Sequence, residues 1–371
     1  IANSFNRKES QQSAMEIVVN LIISNAKAFK QNPAIVNSVV IKLFEWLASI
    51  SDEDAEYILN DEESPEIENV PYLGSGKSVS QIYLMNSNGI SYSRQSSHLS
   101  TSVGVVACRN SVKKLGVYSQ VVFDVKDFDG KKIATKAVEK AKSLLGARSI
   151  ASGNYPVIFS EEISGNVISM YASSFSADSV QKGNSRLKGL MNTQIASPCF
   201  TLLNDPTRMD LPGFATFDGE GVPTQKIEMV VNGKLNAFLY NLETAAKDGV
   251  VSNGCGARPF AGHVDCGFHN LIVESGGYST EALMALFPRS LFITKLEGGS
   301  GCNAVSGELS IGAQGFYCEN GEVIHPVEGL TLSTNFFDLL KNIVAVGSEY
   351  DDRYSTIQVP ALAVSSISVS N

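Results

Sequence analysis

The sequence is short of the features that mark several large classes of protein. Its six cysteines are scattered over 371 residues, whereas a disulfide-stabilised scaffold concentrates them in a small chain. No run is dense in lysine and arginine, and the formal charge is -9, so electrostatic binding of DNA or RNA is not expected. The most apolar run, Ile17 to Ile23, is interrupted by Asn20 and is too short to span a bilayer. We therefore expect a cytoplasmic protein with reduced thiols, no membrane contact and no direct nucleic-acid partner.

The chain does contain enough apolar material for a large interior. With 371 residues, of which 43% are hydrophobic, it exceeds the size at which one core usually stops growing. The sequence changes character near residue 150, from helices and a few strands to many short β segments separated by glycine turns. We predict an α+β protein with an N-terminal α/β domain over residues 1–150. A C-terminal domain of mostly antiparallel sheets with helices follows over 151–371.

Apolar spacing and turn residues predict the individual elements. In the first half they are helices within 11–29 and 35–47, strands within roughly 81–124 with a turn at Asn88-Gly89, and a helix over 132–145 ending at Gly146. In the second half they are a strand over 155–159, a helix over 161–177, hairpins at Asn232-Gly233 and Asn320-Gly321, a helix capped by Ser333 or Thr334 and stopping at Gly347, and a final strand pair in IQVPALAVSSIS.

The glycine-rich stretch SGCNAVSGELSIGAQGF at 300–316 contains candidate nucleophiles. Ser306 lies in AVSGE, which is not the Gly-x-Ser-x-Gly turn that presents a nucleophilic serine. Cys302 has no histidine near it in sequence, although one could approach it in space. The stretch also lacks the lysine of a phosphate-binding loop. We interpret it mainly as a structural turn leading into a strand over 311–316, and keep Cys302 as a candidate nucleophile.

A second candidate is a metal site in CGARPFAGHVDCGFH. Cys255, His263, Cys266 and His269 fall within fifteen residues, and all four are zinc-ligand types. Their order, Cys-x7-His-x2-Cys-x2-His, matches neither of the usual ligand pairs of structural zinc sites, Cys-x2-4-Cys and His-x3-5-His. An ordinary loop with partly buried thiols and imidazoles is therefore favoured over a metal site.

Several segments, in the right order, resemble those of the TldD/PmbA family, also called modulators of DNA gyrase. They are GNYPVIF at 153–159, KGNSRLKG at 182–189, FDGEGVPT at 217–224, NGKLNAFLYN at 232–241, SGELSIGAQGFYCENGE at 306–322 and NIVAVGSE at 342–349. The resemblance covers about residue 80 to the end and is weak before that. It implies a two-domain fold with a β-rich second half, a dimer enclosing a groove, and a link to proteolysis of small or unfolded peptides.

Within this family, the TldD branch resembles a zinc metalloprotease whose helix carries His-Glu-x-x-x-His. The corresponding positions here fall at about Ile168, Ser169 and Ser173, and no His-Glu pair exists in the sequence. The chain therefore resembles the PmbA branch, also called TldE, which lacks the metal. We expect no cofactor in this chain, and zinc only in a TldD-like partner. By analogy with the family, the residues expected to line a peptide groove are Arg258, Asn270, Ser306 and Gln314.

Three functions are consistent with the sequence. The favoured one is a non-catalytic PmbA/TldE-like subunit that pairs with a TldD-type metalloprotease. The second is an autonomous peptidase that uses Cys302 or a metal held within 255–269. The third is a peptide-binding homodimer with no protease partner. All three share a peptide ligand.

Overall fold

The structure is a computed structural model, and it describes residues 66–87, 89–124, 127–259, 261–353 and 355–371. The helices predicted within 11–29 and 35–47, and Asn88 of the first predicted turn, lie outside the described residues. Within the described residues, no helix is long and apolar enough to cross a membrane. These residues divide into two compact units: one comprises 66–80 and 96–145, and the other 81–95 and 146–371.

The first unit contains one helix, α1, and most of a three-stranded sheet in the order β1-β2-β3; the end of β1 from 81 and the start of β2 up to 95 belong to the second unit. Their bounds are β1 (Ile67–Met85), β2 (Ser91–Arg109), β3 (Val112–Val122) and α1 (Gly130–Ser143). The apolar face of α1, which includes Ile133 and Ala137, packs against Val103 and Val105 of β2 and confirms the predicted helix. The first strand begins at Ile67 rather than near 81. Most of its side chains are exposed, which dilutes the apolar alternation that marks a strand.

The second unit contains the remaining thirteen strands. They are β4 (Gly153–Phe159), β5 (Leu202–Asn204), β6 (Ile227–Val231), β7 (Lys234–Leu235), β8 (Gly256–Ala257), β9 (Asp265–Cys266), β10 (Leu271–Val273), β11 (Arg289–Asn303), β12 (Glu308–Glu319), β13 (Glu322–Asn335), β14 (Ile343–Val346), β15 (Ile357–Gln358) and β16 (Leu362–Ser370). Its helices are α2 (Glu161–Tyr171), α3 (Ala177–Gln181), α4 (Leu242–Asp248), α5 (Thr280–Met284) and α6 (Phe336–Lys341).

Five of these strands close into a ring. The order β13-β12-β11-β4-β16 is completed by pairing of β13 with β16, and β14 adds to β16 outside the ring. All of these pairs are antiparallel except β4 with β11, which run parallel. A separate sheet has the order β15-β10-β5-β6-β7, and β8 pairs with β9 alone. Mostly antiparallel strands with short helices confirm the predicted α+β class.

The main core of the second unit is assembled from the ring, α2 and the separate sheet. Helix α2 buries Ile163, Val167, Ile168 and Tyr171 in this core. The Tyr171 ring stacks on Phe336 of α6 with centroids 4.3 Å apart. The position of α2 is therefore set by its apolar face, and its solvent-facing side is left to polar residues.

The two predicted Asn-Gly hairpins of this unit are confirmed. Asn232 and Gly233 have φ angles of 50° and 78° between β6 and β7, and Asn320 and Gly321 have 51° and 88° between β12 and β13. Asparagine and glycine are the residues that most readily adopt positive φ angles in tight hairpin turns. These turns follow from local sequence alone.

Three predicted elements were wrong in detail. The helix over 161–177 ends at Tyr171 and continues as a 3-10 turn, and Ser176 then caps α3 by accepting the Ser179 N–H at 3.1 Å. The helix after β13 is capped by Asn335 and ends at Lys341, because the residues that follow pair as β14. The last two strands, β15 and β16, belong to different sheets instead of pairing together.

Candidate functional site

Helix α2 and the 3-10 turn that follows it carry the three positions that correspond to the zinc motif. Ile168 is 1% exposed and packs in the core, whereas Ser169 and Ser173 are exposed. An isoleucine cannot ligate a metal, and two serine hydroxyls do not replace the imidazole and carboxylate groups of such a site. The residues present at these positions therefore do not fit a zinc ion.

The end of α2 and the 3-10 turn after it are hydrogen-bonded to the turn between β11 and β12. Ser174 donates from its hydroxyl to the Ala304 carbonyl at 3.0 Å, and the Tyr171 hydroxyl donates to the Glu308 carbonyl at 2.5 Å. Burial raises the pKa of the Tyr171 phenol, and the neighbouring Cys302 thiol adds to that shift. Tyr171 is thus a neutral hydrogen-bond donor that joins the helix to the hairpin.

The turn itself, residues 304–307, is held by its own side chains. Asn303 Oδ1 accepts hydrogen bonds from the backbone N–H groups of Val305 at 2.9 Å and Ser306 at 3.1 Å. Ser306 Oγ accepts from the Glu308 N–H at 3.3 Å, which is a local turn bond of the kind that serine commonly makes. The hydroxyl proposed as a nucleophile is therefore engaged in shaping the turn.

Two further side chains reach this turn from elsewhere in the chain. The Ser306 carbonyl accepts hydrogen bonds from Asn335 Nδ2 at 2.9 Å and from Arg186 Nη1 at 3.2 Å. The Arg186 guanidinium also lies over the Phe337 ring, 5.5 Å from its centroid. The stretch 300–316 is consequently the turn and paired arms of a long hairpin, with strand residues beginning at Glu308 rather than 311.

Cys302 lies near the end of β11, opposite Leu309 of β12. Its side chain is half-buried and packs against the main core. Among the described residues, no histidine hydrogen-bonds Cys302. The phenol of Tyr171 lies beside the Cys302 thiol. A phenol whose pKa is raised is a poor general base, so the arrangement lacks the activating partner that a nucleophilic thiol needs.

The segment proposed as a metal site folds into the small β8–β9 hairpin, in which Gly256 pairs with Cys266. Cys255 is 1% exposed, and Asn204 Nδ2 donates to its sulfur at 3.5 Å. Burial raises the pKa of the Cys255 thiol to about 12, with Cys266 and Asp218 adding to the shift. Because the thiolate is the metal ligand, a thiol held neutral in the interior is poorly suited to bind zinc.

The other three members of that segment have separate roles. Cys266 Sγ accepts from the Asn241 N–H at 3.3 Å, at the start of α4, and burial raises the pKa of its thiol. His269 Nε2 hydrogen-bonds the Gly254 carbonyl at 2.8 Å, and burial lowers the pKa of the imidazole. His263 is exposed. Within the described residues, no three histidine, cysteine or acidic side chains are placed to hold a metal ion together.

The four residues expected to line a groove differ in burial: two are exposed and two are buried. Arg258 and Ser306 are exposed. Asn270 is fully buried, where its Nδ2 donates to the Asp205 carbonyl and its Oδ1 accepts from the Gly213 N–H, both at 2.9 Å. Gln314 is 8% exposed and donates to Glu297 Oε1 at 2.5 Å. Asn270 therefore links the loop at Asp205 to the loop at Gly213 through hydrogen bonds.

Asp218 is a structurally important residue that lies outside the candidate sites predicted from the sequence. It is 3% exposed, and its Oδ1 accepts from the N–H groups of Glu220 at 2.8 Å and Val222 at 2.9 Å. Its Oδ2 accepts from the Gly256 N–H at 2.7 Å, which joins the turn at 217–222 to strand β8. The Asp-Gly dipeptide within FDGEGVPT was the available signal, because aspartate commonly bonds the backbone two residues onward in a turn.

Two family models match the chain. The model described as the PmbA/TldA metallopeptidase C-terminal domain matches residues 152–371, and the central-domain model matches 27–145. The chain belongs to the PmbA/TldD metallopeptidase family. The resemblance identified from the separate motifs is thereby confirmed.

Curated relatives include two PmbA proteins. A metalloprotease PmbA homolog of Haemophilus influenzae is 31% identical over 241 residues, which cover 64% of this chain and 51% of that protein. Metalloprotease PmbA of Escherichia coli O157:H7 is 30% identical over 226 residues, covering 61% of this chain and 48% of that protein. The chain thus spans about half the length of these PmbA proteins.

Solved structures of the PmbA/TldD family have the same fold. A putative modulator of a DNA gyrase from Thermotoga maritima superposes with a TM-score of 0.78 at 32% identity, covering 85% of this chain and 72% of that one. TldE from Thermococcus kodakarensis gives a TM-score of 0.74 at 24% identity, covering 81% of this chain and 69% of that one, and is a likeness of fold.

Proposed function

We propose that this chain is a PmbA/TldE-like subunit that assembles with a zinc-bearing TldD-type metalloprotease acting on small or unfolded peptides. In this proposal the chain does not itself cleave peptides, and the zinc belongs to the partner. The observation that carries it is the chemistry of helix α2 and the 3-10 turn after it, where Ile168, Ser169 and Ser173 occupy the positions of the metal motif. A subunit without zinc-ligating side chains at these positions contributes binding surface to the assembly and does not contribute a catalytic centre.

The other candidate sites support the same proposal. Cys302 lies beside a phenol instead of an imidazole, and Cys255 is a neutral thiol in the core. His269 directs Nε2 at a backbone carbonyl. These placements disfavour an autonomous peptidase built on Cys302 or on residues 255–269. All six cysteines are unpaired, which suits the reducing cytoplasm proposed for this protein.

The test measures zinc content and peptide cleavage, first on the isolated chain and then after mixing with a TldD-type subunit. We expect no stoichiometric zinc and no cleavage of an unstructured fluorogenic peptide by this chain alone. With the TldD-type subunit, we expect co-elution in size-exclusion chromatography and peptide cleavage that is sensitive to a chelator.

Other results would reject the proposal. About one zinc per isolated chain, lost in Cys255→Ser or His269→Ala, would establish a metal centre at 255–269. A peptide-binding homodimer that ignores the TldD-type subunit would instead support the third hypothesis. Light scattering on each mixture distinguishes the self-associated form from the mixed one.

A further inference from the structure

Three Asn-Gly dipeptides lie within the residues that the structure describes. They are Asn232-Gly233, Asn253-Gly254 and Asn320-Gly321. An asparagine loses its side-chain amide most readily when glycine follows it, because glycine has no side chain to obstruct attack by its own backbone nitrogen. The reaction needs an asparagine side chain that can rotate toward the next residue and a glycine N–H that no acceptor holds. The three dipeptides differ in both respects.

The carboxamide of Asn253 is held at both of its polar atoms. Its Oδ1 accepts from the Tyr240 N–H at 2.8 Å, and its Nδ2 donates to the Phe238 carbonyl at 2.8 Å. Gly254 is buried, and its N–H donates to Ser252 Oγ at 3.4 Å. Rotation of the Asn253 side chain toward Gly254 would break two hydrogen bonds. The fold therefore protects this dipeptide.

The Asn232-Gly233 turn between β6 and β7 is protected at the attacking nitrogen. The Gly233 N–H donates to the Phe200 carbonyl at 2.7 Å. Gly233 is buried, and a Cβ added to it would lie 2.2 Å from the Ala196 carbonyl oxygen, so the turn is packed against a neighbouring loop. Although the Asn232 side chain is exposed, the nitrogen that would attack it is hydrogen-bonded and shielded from water.

The Asn320-Gly321 turn between β12 and β13 has similar φ angles but lacks this protection. Asn320 is exposed and Gly321 is half-buried. The Asn320 backbone N–H donates to the Pro288 carbonyl at 3.0 Å, a bond that does not involve the carboxamide. To the described residues, neither the Asn320 carboxamide nor the Gly321 N–H makes a hydrogen bond. Exposed turn tips also open locally at little cost in free energy, which allows the side chain to reach the glycine nitrogen.

We propose that Asn320 is a site of spontaneous deamidation. The Gly321 backbone nitrogen attacks Asn320 Cγ and loses its proton, the bond from Cγ to Nδ2 breaks, and ammonia leaves as a five-membered succinimide ring closes. Water then opens the ring at either of its two carbonyl groups and gives aspartate or isoaspartate at position 320. Water is the only co-reactant, and neither oxidation nor reduction takes place.

The products change both the charge and the geometry of the hairpin tip. Glu319 and Glu322 are exposed and lie opposite each other at the ends of β12 and β13. A new carboxylate between them adds to the repulsion that like charges already experience across a strand pair. Isoaspartate also lengthens the main chain by one carbon, which a tight two-residue turn does not accommodate. We expect the modified protein to have a loosened β12–β13 tip.

The experiment incubates the folded chain at mildly alkaline pH and follows the three asparagines by peptide mapping with mass spectrometry. We expect acid products at Asn320 to accumulate at least about tenfold faster than at Asn232 or Asn253, since breaking one protective hydrogen bond adds a barrier on this scale. In concentrated urea the three rates should approach one another, because the protection of Asn232 and Asn253 comes from the fold.

A matched pair of variants tests the same site in the intact protein. Asn320→Gly removes the reacting side chain and retains a dipeptide that suits this type of turn. It should slow the appearance of acidic forms on ion-exchange chromatography. Asn232→Gly, in the corresponding turn of β6 and β7, should leave their rate of appearance unchanged. Circular dichroism melts check that both variants are folded.

Three results would overturn the proposal. One is a folded chain in which Asn320 stays intact while the same residue reacts in urea, which would show that the turn protects it. Another is modification of Asn232 or Asn253 at the rate of Asn320 in the folded chain. The third is an Asn232→Gly variant that slows the acidic forms as much as Asn320→Gly.

Discussion

The turn of the β11–β12 hairpin and the corner formed by residues 92–94, 217–220, 254–259 and 261–269 look alike in sequence but differ in how their polar groups are satisfied. Both are rich in glycine, and each contains cysteine. In the hairpin turn, Asn303, Ser306 and Asn335 bond the backbone of the turn itself. In the corner, Asp218 does the same, but Arg94 is left unpaired among the described residues.

Whether a polar side chain already has hydrogen-bond partners within the fold distinguishes structural residues from candidate binding residues. A side chain whose donors and acceptors are all used within the fold has no capacity left for a ligand, whatever its chemical type. By that criterion Asp218 is structural, although a buried aspartate is a common catalytic residue. Arg94, by contrast, makes no hydrogen bond or ion pair to the residues that the structure describes.

The largest effect should come from removing the carboxylate that holds the corner together. Asp218→Ala leaves three backbone N–H groups without an acceptor, and we expect a loss of about 3 kcal/mol or more in the free energy of unfolding of the second unit. Urea denaturation followed by circular dichroism measures it. Asp265→Ala, at an exposed aspartate of β9 in the same corner, is the control and should change stability by less than about 0.5 kcal/mol. Equal effects of the two substitutions would show that Asp218 does not hold the corner.

A smaller effect is expected from crowding the hairpin. A Cβ at Gly315 would lie 2.0 Å from the Phe292 carbonyl oxygen, so Gly315→Ala must displace the backbone of β11. We expect it to cost about 2 kcal/mol, typical of overpacking in a well-packed interior. Gly299→Ala is a matched control in the same hairpin, because nothing lies within 4 Å of its added Cβ. Thermal melts that rank Gly299→Ala as the more damaging would contradict the register of β11 with β12.

The smallest effects are expected at the two candidate nucleophiles. Ser306→Ala removes one acceptor in an exposed turn and Cys302→Ala removes a half-buried sulfur, so each should cost less than about 1 kcal/mol. Both variants should leave peptide cleavage by a mixed assembly with a TldD-type subunit unchanged, as a fluorogenic assay would report. A Cys302→Ala chain that folds normally but abolishes cleavage would show that Cys302 is catalytic.

Much of the local structure could be predicted because it depends on neighbouring residues. The Asn-Gly turns, the apolar face of α1 and the family motifs are all readable along the chain. The β1 strand was predicted to start too late because its exposed residues give no alternation. The final strand pair was wrong because Ile357 and Leu362 lie in separate sheets. Apolar residues predict burial, but not which distant strand provides it.

For the candidate sites, sequence and tertiary structure decided different things. The sequence by itself determined that no His-Glu pair exists and that Ile168, Ser169 and Ser173 offer no zinc ligands at the motif positions, since ligand chemistry depends only on residue type. Only the tertiary structure decided that Cys255 is a neutral buried thiol and that Cys302 lies beside a phenol. Burial and pairing depend on which segments, distant in the chain, meet in the fold.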